Sequence, residues 1–466
     1  MEEKTKRALP EPFFVEDFKA RGEIYIDDNL LSYDAQNGVL SLRIIKRKDT
    51  NKAIIEKLNN KWILFDEYFD VENGTSEDDI SHTFCALLSY GYLDGYTICF
   101  YINRIIQNNQ KSPFSRIEIF SECLIEHFYN AEDFDYRTIG FVEDDPCAEM
   151  NISGINFRVY KSVAVRFAQN KTSFSFKFPK QYIGGFVFQA DNNKAIPTEV
   201  VHTIVSGVNS YCNFILCDSG NFICNVELVN DNDSMRGNNY YIEKPKALVT
   251  ELKFKQNVML PVFDKLLKMF LVDNCDFSNL YTLESNTYKI LDILRVTSMF
   301  ENAYRENLQH GLRDYVKKEE DYKEAYDKVI EIKIKGDLTD LEKSIVQSEK
   351  MKRKFLTTSL RSRLRFIFEK MLMCFNKTRK DLSDSIIVRF TGYNVTELAD
   401  RITDARNDIA HFLKKEIDYQ GALRDVYVLQ MMIYYMIFER VDLSIDRMQE
   451  VLLGDSRRIR KLFNVE

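Results

Sequence analysis

Two pairs of residues in the chain place a histidine five positions after an arginine. One pair is Arg406 and His411, in the segment RNDIAH, and the other is Arg305 and His310. Histidine exchanges protons near neutral pH, and arginine offers a rigid fork of donors to charge that develops on a phosphate. Because the 466 residues include only five histidines, these pairs are the main candidates for acid–base chemistry on a phosphodiester.

The surroundings of the two pairs favour Arg406 and His411. Positions five apart lie about 140° apart around an ideal helix, so arginine and histidine converge only near a helix end. Residues 412–416 have the composition of a connection, which places His411 at such an end, and Asn407 lies on the same face as His411. Arg305 instead has acidic neighbours that would repel phosphate.

A basic segment provides a second indication of a nucleic-acid substrate. Residues 351–380 contain ten basic side chains and a single acidic one, in a chain whose net charge is −7. Local positive charge favours polyanions because binding releases counterions. The predicted RNA-binding residues are Lys354, Arg361, Arg363 and Arg365. The alternative, a solvated basic face that balances an acidic N-terminal half, stays open.

Cysteine usage gives no indication of a metal centre. The nine cysteines include no pair separated by two residues. Cys212, Cys217 and Cys224 come closest to a cluster, in a segment predicted to be a β-hairpin with its turn near Ser219 and Gly220. We therefore expect free thiols in a reducing compartment, with no metal and no cofactor.

Proline divides the chain into two parts. All eight prolines lie at or before Pro261, whereas the remaining 205 residues have none. Helices exclude internal proline, which lacks the N–H donor and clashes with the preceding turn. The sequence therefore predicts an α+β protein, with a β-rich domain at 1–255 and an all-helical bundle at 262–466.

Periodicity predicts the individual elements of both parts. Short alternating runs predict strands that form one or two sandwich-like sheets, at 22–26, 39–45, 96–102, 116–120, 155–160 and 173–178. One helix is predicted among them, near 197–208. Helical spacing predicts the C-terminal elements, which are a first helix beginning after Pro261, helices at 288–307, 351–375, 394–411, 418–440 and 444–453, and a charged helical extension within 315–350.

Hydropathy predicts a cytoplasmic protein without a membrane segment. The longest nearly apolar run, at 426–438, is shorter than the roughly 20 residues that a membrane-spanning helix needs. The N-terminus MEEKTKRALP carries charges where a signal peptide has its apolar stretch.

Several segments resemble one protein family. RNDIAH at 406–411 resembles the active motif of HEPN ribonucleases, and MFENAYRE at 299–306 resembles the first HEPN helix of ApeA-like proteins. The N-terminal half resembles the N-terminal domain of the same group. GEIYIDDNLLSYDAQNGVLSL looks like its opening hairpin, and the segments FDEYFDVENG, YTICFYI and CLIEHFY look like its later strands.

This resemblance implies a function in bacterial abortive-infection defence against phage. It implies a metal-independent HEPN endoribonuclease with Arg406, Asn407 and His411 as catalytic residues and RNA as the substrate. It also implies an N-terminal domain that senses a phage-derived trigger, and a homodimer in which two motifs meet. The apolar helix at 426–438 independently predicts a dimer, because it carries more apolar surface than one small bundle is expected to bury.

Two other classes of function remain open at the level of sequence. A non-catalytic HEPN module, either RNA-binding or of the antitoxin type, would use Arg406 and His411 only to cap and pair within the bundle. A carbohydrate- or ligand-binding β-sandwich with a helical dimerisation tail would leave both residues without a chemical role.

Overall fold

The structure of the chain is a computed structural model. It describes residues 8–9, 13–26, 29–43, 48–68, 82–108, 114–129, 145–166, 182–216, 220–229, 238–246, 262–273, 291–335, 339, 359–376, 395–410 and 419–453. Two compact units are present, Met1–Asn257 with Phe263–Ser278, and Val258–Val262 with Asn279–Glu466. The first contains the strands and the second is helical, which confirms the predicted α+β class.

The strands of the first unit form one curled, mainly antiparallel sheet. They are β1 Ala8–Leu9, β2 Phe13–Phe14, β3 Ala20–Ile26, β4 Asn29–Gln36, β5 Val39–Arg43, β6 Lys61–Tyr68, β7 His82–Asp94, β8 Thr97–Asn108, β9 Arg116–Ser121, β10 Ala148–Ile152, β11 Ile155–Arg166, β12 Tyr182–Ala190, β13 Asn225–Val229 and β14 Asn238–Ile242. The order is β1-β11-β12-β9-β13-β14-β8-β5-β4-β3. Outside this path, β10 pairs with β11, β2 with β14, and β7 with both β6 and β8.

Five of the six predicted strand segments coincide with these strands, and 173–178 lies outside the described residues. The alternation that predicted them is visible in β11, where Ile155, Phe157 and Val159 are buried and the residues between them are exposed. Strand β14 joins the two halves of the sheet, because it pairs with β13 on one side and with β8 on the other.

Each half of the sheet has its own core. In the half formed by β3–β8, the rings of Phe65 and Phe84 stack with centroids 4.7 Å apart, and helix α1 (Lys48–Leu58) packs against β6 and β7. In the other half, β12 is buried along almost its whole length. Helix α2 (Glu122–Phe128) lies so close to β12 that a Cβ on Gly184 would stand 2.4 Å from the backbone nitrogen of Ile125.

Two local predictions in this unit are wrong. Residues 123–129, expected to be a strand, lie mainly in helix α2. The hairpin predicted around Cys212 and Cys224 is also wrong in its first arm, because helix α3 runs from Thr198 to Leu216. Val201, Val205, Val208, Cys212 and Ile215 are buried at helical spacing, so the longer helical pattern overrides the β propensity of the segment from Phe214 to Leu216.

The helix that follows Pro261 also differs from expectation. Helix α4 (Phe263–Leu271) was counted with the C-terminal bundle, but it packs against α3 in the first unit. Its rings fill the gaps of an aromatic cluster, with Phe270 centred 5.7 Å from Tyr211 and 5.3 Å from Phe214. These aromatic contacts explain why α4 belongs to the first unit, although it follows Pro261, the expected boundary between the two parts.

The second unit contains six helices among the described residues. They are α5 Leu291–Gln309, α6 Arg313–Lys335, α7 Leu360–Asn376, α8 Val395–Ala410, α9 Tyr419–Arg440 and α10 Ile445–Leu453. Helix α9 is central, since α5, α7, α8 and α10 all pack against it. The predicted helices of this region are therefore present, and the charged extension is helical as far as Lys335 in the described residues.

Helix α9 removes one argument for a dimer. Every residue from Val428 to Phe438 is buried within the chain. The apolar surface at 426–438 was expected to exceed what one bundle can cover, and that expectation is wrong because neighbouring helices surround α9. The dimer itself stays a prediction.

Candidate functional site

Two of the three catalytic residues predicted from sequence, Arg406 and Asn407, lie at the C-terminal end of α8. Arg406 and Asn407 are both half-buried, in the last turns of a helix that ends at Ala410. The Arg406 guanidinium donates to Oδ1 of Asn407 over 3.3 Å. His411 is the next residue along the chain after Ala410 and lies outside the described residues.

The burial pattern of α8 explains why this end of the helix is accessible. Leu398, Ala399 and Ile402 are buried and anchor the first half of α8, whereas Ala405 and Ile409, further along the same stripe, are only half-buried. Truncating Arg406 or Asn407 therefore removes little packing, as expected for residues outside the core.

Helix α8 is held on one side by ion pairs with α7. Arg361 Nε lies 2.8 Å from Oδ1 of Asp400, and Arg361 Nη2 lies 3.2 Å from Oδ1 of Asp404. Arg365 also pairs with Asp400, over 3.1 Å. These side chains are 37–65% exposed, so each pair contributes only about 0.2–1 kcal/mol. Their geometry nevertheless fixes the rotation of α8 about its axis.

A stronger contact holds α8 against α9. Arg401 forms two hydrogen bonds with Asp425, with Nε 2.9 Å from Oδ2 and Nη2 2.8 Å from Oδ1. This two-pronged geometry is the strongest form of an arginine–carboxylate pair. The Asp425 side chain is only 10% exposed, so loss of Arg401 would leave a nearly buried carboxylate without this partner.

The predicted RNA-binding arginines do not form one free basic face. Arg361 and Arg365 point toward α8, where carboxylates neutralise part of their charge. Arg363 turns into the bundle, with its guanidinium 4.8 Å from the centre of the Tyr304 ring and its side chain 12% exposed. Lys354 lies outside the described residues.

The acidic partners of the basic strip had a sequence signal. Asp400 and Asp404 are four residues apart on a predicted helix, as are Arg361 and Arg365 on another. Matching pairs at this spacing are complementary when two helices lie side by side. The signal identifies partners only once the helices are known to be neighbours, which the sequence alone does not establish.

The second arginine–histidine pair is engaged elsewhere. His310 follows the end of α5, and its Nε2 is hydrogen-bonded to a guanidinium nitrogen of Arg440 from α9. Arg440 also pairs with Glu306 over 3.6 Å and is 8% exposed, whereas Arg305 is exposed. His310 is therefore in contact with Arg440, and this contact links the C-terminal end of α5 to the C-terminal end of α9.

A polar network that the sequence did not reveal holds α7 in place. Glu439 accepts hydrogen bonds from the hydroxyls of Tyr315 and Tyr435, over 2.8 and 3.4 Å, and pairs with Lys370 of α7. Burial, and after it the Glu439 charge, raises the pKa of both tyrosines. Both therefore stay protonated and donate, so the network orients the helix that carries Arg361 and Arg365.

No group of three or more histidine, cysteine or acidic side chains in the described ranges has the arrangement of a metal site. Cys212 and Cys224 are buried free thiols, and Cys217 lies outside the described residues.

No protein-family model, curated protein or solved structure matches the chain. Among the described residues, no helix combines the length and hydropathy that a bilayer crossing demands. Location in the cytoplasm stays a prediction.

Proposed function

We propose that the protein is a metal-independent endoribonuclease of the HEPN type whose active site is formed by Arg406, Asn407 and His411. The observation that supports it is the contact of the half-buried Arg406 guanidinium with Asn407 in the last turns of α8. A pre-oriented cation is thereby held within five residues of a histidine, which is the pairing that phosphodiester cleavage needs.

The proposed reaction uses the nucleophile that RNA itself supplies. The 2′-oxygen attacks the adjacent phosphorus while the bond from phosphorus to the 5′-oxygen breaks. His411 takes the proton of the 2′-hydroxyl or returns one to the leaving 5′-oxygen, a role worth roughly 10²–10⁴-fold in rate. Arg406 stabilises the charge on the pentacoordinate phosphorane, and Asn407 holds the guanidinium in position. The products are a 2′,3′-cyclic phosphate and a 5′-hydroxyl.

One histidine per site provides limited acid–base capacity, so we propose that two motifs meet in a homodimer of the C-terminal units. The resemblance to ApeA-like proteins extends the proposal to abortive-infection defence, with the N-terminal unit sensing a phage-derived trigger.

A non-catalytic interaction module is the second candidate. The observation that favours it is the internal pairing of Arg361 and Arg365 with Asp400 and Asp404. This pairing lowers the positive charge that α7 offers to a polyanion.

The end chemistry of the products separates the two candidates. Purified protein is incubated with mixed cellular RNA in EDTA, and the new ends are tested for 2′,3′-cyclic phosphates. Cyclic phosphates that appear with the wild-type chain support the nuclease. RNA that is bound but stays intact supports the interaction module.

A further inference from the structure

A second cluster of polar side chains lies in the first unit, on one face of the sheet. Trp62 on β6 is opposite Leu87 on β7, and Leu87 is opposite Arg104 on β8. Tyr240 on β14 is opposite Ile106, two residues beyond Arg104. Alternate residues of a strand share a face, so the indole, the guanidinium and the phenol lie on the same side of three neighbouring strand pairs.

A register shift between two strands and a contact between two rings bring this cluster together. The register of β7 and β8 shifts between Leu87 and Leu88, directly beside Arg104. Such bulges re-aim side chains and are frequent beside binding sites. From α3, the ring of His202 meets the ring of Trp62 edge to face, with centroids 5.6 Å apart.

Three polar atoms of this cluster are buried without a hydrogen-bond partner among the described residues. Trp62 Nε1, Arg104 Nε and His202 Nδ1 are inaccessible to solvent and have no hydrogen-bond partner among the described residues. Buried polar atoms of folded proteins nearly always have partners. Three such atoms, from β6, β8 and α3, lie in one cluster. We take this as an indication that these side chains are arranged to bind a ligand.

The charges define what that ligand must carry. Arg104 is 11% exposed, and its Nη1 donates to the backbone oxygen of Asn103 over 2.7 Å and lies 3.6 Å from Oε1 of Glu243, a weak ionic partner. The Glu243 side chain is 48% exposed, at the rim of the cluster. Burial, and after it the Arg104 charge, lowers the pKa of His202 to about 4, so this imidazole is neutral at pH 7. Burial raises the pKa of Tyr240 to about 12, so its hydroxyl stays a donor.

We infer that Trp62, Arg104, His202 and Tyr240 form a binding site for the oxyanion group of a small molecule, a phosphate or a carboxylate. The guanidinium and the indole N–H both donate toward an acceptor-rich ligand, and the oxyanion displaces the Glu243 carboxylate from Arg104. The site is independent of the Arg406 motif, so its existence and the nuclease activity are tested separately.

The chain has a single tryptophan, and it belongs to this cluster. Intrinsic fluorescence of the full-length protein therefore reports on the site without a label. Inorganic phosphate and succinate are titrated separately at constant ionic strength, with sodium chloride as the blank. A saturable change with phosphate alone, with succinate alone or with both supports the site and identifies the oxyanion it prefers.

Two variants should shift the affinity in opposite directions. Arg104→Gln removes a charged donor and should weaken binding about tenfold or more. Glu243→Gln removes the competing carboxylate at an exposed position and should tighten binding about twofold to fivefold. Arg158→Gln is the matched control, since Arg158 lies on β11 and pairs with Asp191.

The inference is overturned if neither oxyanion gives a saturable change, or if Glu243→Gln leaves the affinity unaltered. Because Arg104→Gln can also affect folding, Glu243→Gln provides the decision that does not depend on a buried residue.

Discussion

Removal of the acidic partners of α7 tests whether the basic strip serves RNA. The double substitution Asp400→Asn with Asp404→Asn keeps the side-chain shapes and releases Arg361 and Arg365 from their carboxylates. If both arginines then contact phosphates, the slope of log affinity against log salt becomes steeper by about 1.4, since each phosphate contact on single-stranded RNA contributes about 0.7.

The same substitutions carry a modest cost in stability. Three partly exposed ion pairs are lost, and such pairs contribute about 0.2–1 kcal/mol each. We therefore expect the free energy of unfolding to fall by about 0.6–3 kcal/mol, which leaves the fold intact. Urea denaturation measures this loss.

The assay is fluorescence anisotropy of a labelled RNA across a series of salt concentrations. Adding Arg361→Gln and Arg365→Gln to this double variant should return the slope to about the wild-type value, because the two released cations are then gone. Asp264→Asn provides the control, because it removes an exposed carboxylate that pairs with Lys268 in the first unit. An unchanged slope in the Asp400→Asn with Asp404→Asn variant would refute the assignment of RNA binding to α7 and leave the arginines with a structural role.

Further predictions concern single side chains. Arg363→Gln should lower the free energy of unfolding by about 1–3 kcal/mol and leave RNA affinity unchanged, because its guanidinium lies inside the bundle; denaturation and anisotropy measure the two quantities. Arg401→Ala should destabilise by about 1–3 kcal/mol, since the nearly buried carboxylate of Asp425 loses two charged hydrogen bonds. Arg158→Ala, at a more exposed pair, should cost less in the same denaturation assay. The pKa of His202 is at its ordinary value of 6.5 in the unfolded chain, and burial lowers this pKa to about 4 in the folded chain. Stability should therefore fall as pH drops from 6.5 toward 4, and this component of the pH dependence should be absent in His202→Gln.

The fold could be predicted from sequence where a long pattern determined it. Absence of proline predicted the helical second unit, and strict alternation predicted strands such as β11. Prediction failed at α2, a short apolar segment that is helical and packs against β12. It also failed at the end of α3, where the longer helical pattern overrides the local β propensity. It also failed for α4, whose position in the first unit depends on aromatic contacts with α3 that no local pattern encodes.

The candidate site shows the same limit. Composition identified Arg361, Arg363 and Arg365 as basic, but their different environments follow from which helices are neighbours. The spacing of Arg406 and Asn407 near a helix end was predictable, because it is a property of one helix. The cluster around Trp62 was not predictable, since its members come from four elements spread over nearly 180 residues of sequence.

The central claim is that Arg406 and His411 cleave RNA. The measurement is the initial rate of RNA cleavage in EDTA for four full-length variants, His411→Ala, Arg406→Ala, His310→Ala and Arg305→Ala, beside the wild type. The first two should abolish cleavage and keep the wild-type unfolding transition, whereas the last two, a matched pair with the same spacing, should retain cleavage. Cleavage by His411→Ala at the wild-type rate would contradict the account, and loss of cleavage in His310→Ala alone would transfer the activity to the other pair.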